Sequence, residues 1–222
     1  MIKILCLFQR DFSGGKPRLL RAVTQGCDWV LAGEGTATRK RDGTSCLVKG
    51  GVLYKRYDVK KGKTVPAGAI ACTPQADGVT GHWPHWIEVG SEPDSVWHMN
   101  AWTNLKPRVL EDGTYELCGP KINGNPEGLS EHVFIRHGSE VLGKVPRDFD
   151  GLREFLRLAS YEGIVFHHGD GRMVKIRRDD YGFSWPPKSS SPPPSGPEDD
   201  ATDEERRDWA AEDKHDFIKE GR

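Results

Sequence analysis

Residues 38–48, TRKRDGTSCLV, place a lysine, an aspartate and a glycine directly before an apolar run. Asp-Gly is a common short turn signal, and the run SCLVKG at 45–50 is typical of a β-strand. A K-x-D-G string alone is a weak signal, because ordinary residue usage produces it by chance in about one chain in twenty of this length. Its meaning therefore depends on the residues downstream.

The composition allows one hydrophobic core and excludes two large domains. The chain has 222 residues, of which 36% are hydrophobic. Its formal net charge of -1 hides an uneven distribution, since the stretch from Glu198 onward is rich in acids and the rest is basic. A basic body fits a phosphate-bearing ligand or a nucleic acid, although scattered lysines and arginines are more often a solvated surface.

Cysteine usage and hydropathy indicate a cytoplasmic, soluble protein with no membrane partner. The five cysteines are odd in number and form no CxxC pair, which argues against zinc and against a disulfide framework. The N-terminal run IKILCLF at 2–8 predicts a strand rather than a signal peptide. No segment approaches the roughly 18 apolar residues that a membrane helix needs.

Short alternating runs predict an antiparallel-rich α+β fold. The predicted strands are 2–8, 45–50, 51–59, 85–90, 114–119, 132–138, 163–168 and 172–178. The stretch PRDFDGLREFLRLAS predicts a helix that begins at Asp148 or Asp150, and residues 17–25 suggest a shorter helix.

The chain divides into a folded body and a tail. We assign residues 1–186 to one domain and the Pro/Ser-rich residues 187–201 to a linker. Residues 202–222 begin with a T-x-x-E capping box and predict an acidic helix or a frayed tail.

Five elements in a fixed order carry the chemistry. They are Lys40-Arg41-Asp42-Gly43, Arg56, Glu116, Glu162-Gly163, and Lys175 with Arg177. If Gly50-Gly51 is a two-residue hairpin turn, position 49 faces 52 and position 45 faces 56, so Arg56 returns beside the lysine.

This set suits nucleotidyl transfer through a lysine. A lysine ammonium is a poor nucleophile near neutral pH, so the reaction needs neighbouring cations or burial, and Arg41, Lys175 and Arg177 are candidates to supply that positive field. The same cations would stabilise charge on phosphoryl oxygens. Glu116 and Glu162 offer the hard oxygen ligands that Mg²⁺ prefers. The Asp-Gly turn is expected to let a nucleotide lie close to the backbone.

The order K-x-D-G, then E in a strand, then EGIVF, then a basic strand resembles the covalent lysine nucleotidyltransferase superfamily of DNA ligases, RNA ligases and capping enzymes. TRKRDGTSCLV, RYDVKKGK, LCGPKINGNPEGL, IRHG and EGIVFHHGDGRMVKIRRDDYGFSWP together resemble the RNA ligase 1 family of 5′-to-3′ RNA ligases, over roughly residues 36–186. The resemblance implies an α+β adenylation (nucleotidyltransferase) domain. Because the body stops after SWPP, we expect no OB-fold domain.

The resemblance also implies an activity: an ATP-dependent RNA ligase that joins 5′-phosphate and 3′-hydroxyl RNA ends through a lysyl-AMP and an RNA-adenylate, with Mg²⁺ or Mn²⁺ as cofactor. By carry-over, the catalytic residues are Lys40, Glu162 and Lys175, with Glu116 and Glu162 as metal ligands. The carried-over nucleotide-binding residues are Arg39, Asp42, Gly43, Arg56, Glu116, Phe134 and Arg177. Arg177 departs from many relatives in the superfamily, which carry lysine there.

Other readings remain open at the sequence level. The alternatives are a GTP-dependent capping guanylyltransferase, a DNA ligase, or a nucleotide- or RNA-binding module without catalysis. Phe134 is a candidate for stacking on adenine or for core packing. The sequence is equally compatible with His137 lying near the nucleotide and with His137 lying elsewhere. His167 and His168 are poorly placed to bind one metal ion together, because adjacent strand residues face opposite sides. Two sets of residues have an RNA-binding reading beside a structural one: the tryptophans Trp83, Trp86, Trp97 and Trp102, and the cations Lys60, Lys61, Lys63, Arg147 and Arg178.

Overall fold

β-Strands make up most of the fold in the computed structural model, which describes residues 4–14, 17–78 and 80–187. The strands are β1 (Leu5–Cys6), β2 (Phe8–Asp11), β3 (Arg18–Val23), β4 (Thr36–Lys40), β5 (Thr44–Lys49), β6 (Val52–Val59), β7 (Ile70–Ala71), β8 (Trp83–Glu88), β9 (Gly113–Cys118), β10 (Val133–Arg136), β11 (Gly163–His167) and β12 (Met173–Arg177). The α-helices are α1 (Asp28–Leu31), α2 (Val96–Asn104) and α3 (Phe149–Leu158), and short 3₁₀ helices span Pro93–Ser95 and Asp179–Tyr181.

A four-stranded sheet in the order β1-β12-β11-β4 forms one half of the body. Its pairs are antiparallel except for β1, which runs parallel to β12. The buried residues Ile164, Phe166 and Ile176 of this sheet pack with Leu152 and Leu156 of α3. Burial of these apolar side chains is the main stabilising contribution to this half.

A six-stranded antiparallel sheet in the order β10-β9-β5-β6-β8-β7 forms the other half. Its own core contains Cys46, Val48 and Leu117 from the sheet and Ala101 from α2. The turn between β5 and β6 is the predicted Gly50-Gly51 hairpin, in which Lys49 faces Val52. Both glycines have positive φ, of 59° and 75°, as this tight turn requires.

The predicted helix around 146–160 is confirmed as α3, and its cap is Asp148. The Asp148 carboxylate accepts a hydrogen bond from Gly151 N at 2.9 Å. Leu152 and Leu156, four residues apart, form its buried face.

The α+β, antiparallel-rich fold class is confirmed, but the helix predicted for 17–25 is wrong. This segment is strand β3, which forms a two-stranded hairpin with β2. Pairing with β2 satisfies its backbone groups, and such tertiary context routinely overrides local helix propensity. Helix α2 and the strand that ends at Lys40 were not predicted. The predicted linker, residues 187–201, and tail, residues 202–222, lie outside the described residues from residue 188 onward.

Among the described residues, none of the helices has the length and apolar composition that crossing a membrane demands.

Candidate active site

Lys40 is the last residue of β4, where it faces Gly163 of the neighbouring strand β11. Glu162 directly precedes β11, so the pairing of these two strands brings the lysine and the acid together. Lys40 Nζ lies 2.5 Å from Glu162 Oε2 and 3.2 Å from the carbonyl oxygen of Arg41. Two residues that are 122 positions apart in the chain therefore form one ion pair.

Burial shifts the ionisation of the groups around this amine. Glu162 is 8% exposed, and burial raises the pKa of its carboxyl although the Lys40 ammonium opposes the shift. Lys175 lies on β12, and burial lowers the pKa of its ammonium, as do the cations of Lys40 and Arg177. The site therefore holds a carboxylate, Glu162, that accepts a proton more readily than usual and a lysine, Lys175, that loses its proton more readily than usual.

Two acids that were not predicted from the sequence bind the arginines on either side of Lys40. The Glu127 carboxylate accepts hydrogen bonds from Arg39 Nη2 and Arg41 Nη1, each at 2.6 Å, and from Asp42 N at 3.0 Å. Its side chain is 1% exposed. Glu140 accepts a bidentate pair from Arg41 at 2.5 and 2.6 Å.

These contacts change the interpretation of Arg39 and Arg41. Arg41 does not offer an uncompensated positive field, because two carboxylates balance its guanidinium and raise its pKa. Arg39 reaches the wall of the candidate cavity, but its guanidinium also binds Glu127. The two arginines that flank Lys40 hold its strand end in place. The signal for Glu127 was its place in INGNPEGL, a motif that the sequence analysis singled out without assigning a role to its acid.

Asp42 and Gly43 have structural roles in the described chain. Asp42 accepts hydrogen bonds from Asn123 Nδ2 at 2.9 Å and Trp185 Nε1 at 3.0 Å. A Cβ on Gly43 would lie 2.3 Å from the carbonyl oxygen of Leu117, so glycine is needed where this loop crosses β9. Close approach of the protein's own backbone is a structural reason for glycine at this position, and the turn that admits a nucleotide stays a prediction.

Glu116 of β9 is held by three donors. Its carboxylate accepts from Gly43 N at 3.1 Å and Ser45 Oγ at 3.2 Å, and lies 2.7 Å from His137 Nε2. The other ring nitrogen of His137 is buried without a hydrogen-bond partner among the described residues. Glu116 and His137 both line the candidate cavity, which brings the undecided histidine into the site.

The candidate cavity lies between the two sheets and has a volume of about 220 Å³. Its polar wall includes Lys40 and Lys175 from the four-stranded sheet and Arg56 and Glu116 from the six-stranded one. Its apolar and neutral lining includes Ile4, Thr38, Ile135, Gly138, Val165 and Met173. Drug-sized ligand sites are commonly 300 to 1,000 Å³ by rough count, so a nucleoside triphosphate would extend beyond this cavity.

Arg56 reaches this wall as the hairpin predicts. The register of β5 and β6 is the expected one, with Cys46 facing Lys55. Arg56 Nε lies 3.0 Å from Asp58 Oδ1, so the guanidinium is oriented within its own strand.

The structure does not bring Phe134 or Arg177 to this cavity. Phe134 packs against Trp102 and Tyr115, with ring centroids 6.1 and 6.5 Å apart. Successive residues of a strand face opposite sides, so Ile135 takes the place at the cavity wall instead. Arg177 lines a different groove, where it binds Asp180.

The remaining sequence candidates have structural environments. Arg178 is buried and donates to carbonyl oxygens at the end of α3, including that of Ala159 at 2.5 Å. Arg147 donates to the carbonyl oxygens of Glu34 and Gly35 at 2.7 and 2.9 Å. Trp86 is buried in the six-stranded sheet, and Trp97 and Trp102 pack against its core. These side chains have packing or hydrogen-bonding partners within the fold, and their RNA-binding role stays a prediction.

The carboxylates fit a magnesium ion that keeps most of its water. No group of three or more His, Cys, Asp or Glu residues in the described ranges is arranged to hold a metal. Glu116 and Glu162 each offer a single carboxylate, and Mg²⁺ is commonly bound through one or two carboxylates plus substrate phosphates. The donor set therefore suits Mg²⁺ or Mn²⁺ brought with a nucleotide and not a resident metal cage.

Comparison with known proteins points to one family. A family model described as RNA ligase 1 matches residues 104–193, a span that includes Glu116, Glu162 and Lys175 but not Lys40. The RNA ligase 1 of Mus musculus is 30% identical over 166 residues, which is 60% of this chain and 47% of the relative. Those of Rattus norvegicus and Danio rerio are 29% and 35% identical over 60% and 48% of this chain, and 47% and 42% of their own lengths. The predicted resemblance is confirmed, and the chain spans about half the length of the curated relatives it matches.

Proposed function

Because the chain is related to the RNA ligase 1 family, we propose that it is an ATP-dependent RNA ligase that joins 5′-phosphate and 3′-hydroxyl RNA ends in the cytoplasm. The observation that carries this proposal is the ion pair of Glu162 with Lys40, which lines the candidate cavity together with Lys175, Arg56 and Glu116. A reactive amine, a base and cations are the parts that nucleotidyl transfer requires.

In the first step the neutral Lys40 amine attacks the α-phosphorus of ATP. The bond from that phosphorus to the bridging oxygen breaks, pyrophosphate leaves and a phosphoramide lysyl-AMP forms. The ammonium must first lose a proton, and Glu162 is the hydrogen-bonded carboxylate placed to accept it. Lys175, on the same cavity wall, supplies positive charge for the α-phosphate oxygens.

The two later steps move the adenylate and close the strand. An oxygen of the RNA 5′-phosphate attacks the α-phosphorus, the phosphorus–nitrogen bond breaks and Lys40 recovers its amine. The 3′-hydroxyl then attacks the 5′-phosphorus, loses its proton to solvent and displaces AMP. Lys175 is placed to stabilise charge in the second step as in the first.

Glu162 and Glu116 are the residues that would hold Mg²⁺ or Mn²⁺, and the ion when bound offsets negative charge on the phosphates. The nucleoside end of ATP would occupy the cavity. Ile135 replaces Phe134 as the apolar contact for the base, and Glu116 with His137 offers polar groups to the ribose.

Covalent labelling with α-labelled ATP tests this function. We expect the wild-type protein to carry an acid-labile label on a denaturing gel, and Lys40→Ala to carry none. Glu162→Gln is expected to fold but to lose labelling, because the amine loses its proton acceptor. Lys49→Ala, an exposed lysine at the end of β5, is the matched control and should label normally.

Three results would contradict the proposal. Persistent label on Lys40→Ala would show that another residue is the nucleophile. Labelling by GTP in place of ATP, or sealing of nicked DNA in preference to RNA, would favour a capping enzyme or a DNA ligase.

A further inference from the structure

A second groove, about 780 Å³ in volume, lies beside the nucleotide cavity. It is formed by the hairpin of β2 and β3, helix α3, the end of β12 and the 3₁₀ helix that follows it. Its charged lining consists of Arg10, Arg18, Arg153, Arg177, Asp179 and Asp180. We call this feature the arginine groove, and none of its lining residues has a role in the three steps described above.

Strand β12 joins the arginine groove to the candidate active site. Met173, Lys175 and Arg177 alternate along β12 and therefore share one face of the strand. Met173 and Lys175 line the nucleotide cavity, whereas Arg177 lines the arginine groove. Residues two apart on a strand are separated by roughly 7 Å, which is close to the spacing of successive phosphates in an extended nucleic acid strand.

One buried acid organises two of the arginines. The Asp180 side chain is 2% exposed and binds Arg10, Arg177 Nη2 at 3.2 Å and Arg177 N at 2.8 Å. Asp180 therefore orients both guanidinium groups and offsets part of their positive charge at the groove wall. Burial of Arg177 is partial, and its Nε has no hydrogen-bond partner among the described residues.

The other two arginines keep much of their charge exposed to the groove. The Arg18 side chain is 76% exposed and lies 3.6 Å from Asp11, and Arg153 is 50% exposed and lies 3.5 Å from Glu154. Exposed ion pairs of this length are weak, so both cations can exchange partners with an incoming phosphate.

Aromatic rings form part of the groove lining between these cations. Phe149 and Tyr181 both line the groove and meet edge to face, with ring centroids 5.2 Å apart, and both also pack against the core of the four-stranded sheet. The Arg21 guanidinium lies 4.6 Å from the Phe149 ring centroid. Pro17 and Leu19 add apolar surface. Grooves that combine cations for the backbone with rings for the bases are typical of single-stranded nucleic acid sites.

We propose that the arginine groove holds the single-stranded RNA whose 5′-phosphate receives the adenylate. Arg177 and Arg10 bind the phosphates nearest the reacting end, and Arg18 and Arg153 bind phosphates farther along the strand. This inference rests on the proposed function. The groove has several times the volume of the nucleotide cavity and draws cations from four elements, which suits a chain of phosphates better than the pyrophosphate end of ATP.

The test separates RNA binding from reaction with ATP. In Arg18→Gln/Arg153→Gln we expect the dissociation constant for a short 5′-phosphorylated single-stranded RNA, measured by fluorescence anisotropy, to rise about tenfold at low salt. The slope of log K against log salt should fall in magnitude by about 1.4, since each lost phosphate contact removes about 0.7 for a single strand. Lysyl-AMP formation without RNA should keep the wild-type rate.

The matched control is Arg157→Gln/Arg172→Gln. It removes the same charge from two half-exposed arginines that do not line the groove, and Arg157 lies on the same helix as Arg153 with the same exposed fraction. We expect this control to bind RNA as the wild type does. Circular dichroism and thermal unfolding check that both double variants fold.

Each alternative outcome is distinct. Equal RNA affinity in the groove variant and the control would overturn the proposal. A parallel loss of lysyl-AMP formation would assign the groove to the triphosphate of ATP instead. A wild-type protein that binds RNA through these arginines but never forms lysyl-AMP would refute the proposed function and leave the RNA groove standing.

Discussion

The position of Lys40 is set by the acid that binds both of its neighbours. Glu127 contacts the guanidinium groups of Arg39 and Arg41 and the backbone of Asp42, so it restrains the chain on both sides of the lysine. These are charge-assisted hydrogen bonds to an almost fully buried carboxylate, which are stronger and more geometrically demanding than neutral ones. Glu127 therefore orients Lys40 without contacting it, because it holds the residues on both sides of the lysine.

We predict that Glu127→Gln slows lysyl-AMP formation about 100-fold at saturating ATP, because small displacements of a nucleophile have effects of that size. The free energy of unfolding should fall by about 3 kcal/mol, since breaking a buried ion pair leaves uncompensated charge. Single-turnover labelling and urea unfolding measure the two effects.

Glu140→Gln is the control, and its effects on labelling and on stability are expected to be smaller. Glu140 is 35% exposed and binds Arg41 alone, so both losses should be smaller than for Glu127→Gln. Equal effects of the two substitutions would show that Glu127 has no special part in placing Lys40.

Among single residues, the sequence was most informative where chemistry restricts the residue type. Lys40, Glu162 and Lys175 were predicted from their order, and the structure brings Lys40 into contact with Glu162 and places Lys175 on the same cavity wall as Lys40. Glu127, Glu140 and the role of His137 were not predicted. Their partners lie far away in sequence, and an isolated acid in a loop has no local pattern that marks it.

At the scale of elements, helix α2 carries His98, a buried histidine whose protonation in the folded protein is unfavourable. His98 is 6% exposed, and neither ring nitrogen has a hydrogen-bond partner in the described part of the chain. Burial, reinforced by the Lys55 ammonium, lowers the pKa of His98 to about 4. Lys55 itself is buried and binds Asp94 and Ser95 at 2.6 and 2.7 Å, in the 3₁₀ helix that directly precedes α2.

This histidine predicts an acid-sensitive contribution to stability. An unfolded histidine has a pKa of about 6.5, so between that value and about 4 the unfolded chain binds the extra proton and stability falls as the pH drops. We predict that His98→Leu reduces the loss of unfolding free energy between roughly pH 7 and pH 4.5 by about 2 kcal/mol. Urea unfolding of both proteins at the two pH values measures the difference.

The exposed His82, replaced by glutamine, is the control for His98. It should leave the pH dependence of stability as it is in the wild type. An identical acid response in His98→Leu and the wild type would contradict the assignment.

At the scale of the whole molecule, two sheets with separate cores meet at the candidate cavity. The four-stranded sheet supplies Lys40 and Lys175, and the six-stranded sheet supplies Arg56 and Glu116. A ligand in this cavity contacts both halves at once, so its binding free energy adds to the stability of the folded body.

We predict that ATP stabilises Lys40→Ala, which cannot form the covalent adenylate. At about 100 times its dissociation constant a ligand contributes about 2.7 kcal/mol, which for a protein of this size raises the unfolding temperature by about 5 to 10 °C. Differential scanning fluorimetry measures the shift, and Arg56→Gln in the same background should reduce it.

The same measurement discriminates between nucleotides. A larger shift with GTP than with ATP would contradict the assignment of ATP as the substrate, and no shift with either would contradict the cavity as the nucleotide site.

The sequence by itself determined the antiparallel α+β class, the hairpin that returns Arg56, the presence of α3 with Asp148 or Asp150 at its start, and the order of the candidate site residues. These follow from local rules: alternation along strands, turn chemistry and the few residue types that can carry the reaction. Only the tertiary structure decided that 17–25 is a strand, that Ile135 and not Phe134 meets the cavity, and that carboxylates balance Arg41. The physical reason is that a strand's pattern shows which residues share a face, whereas partners distant in sequence decide what that face meets.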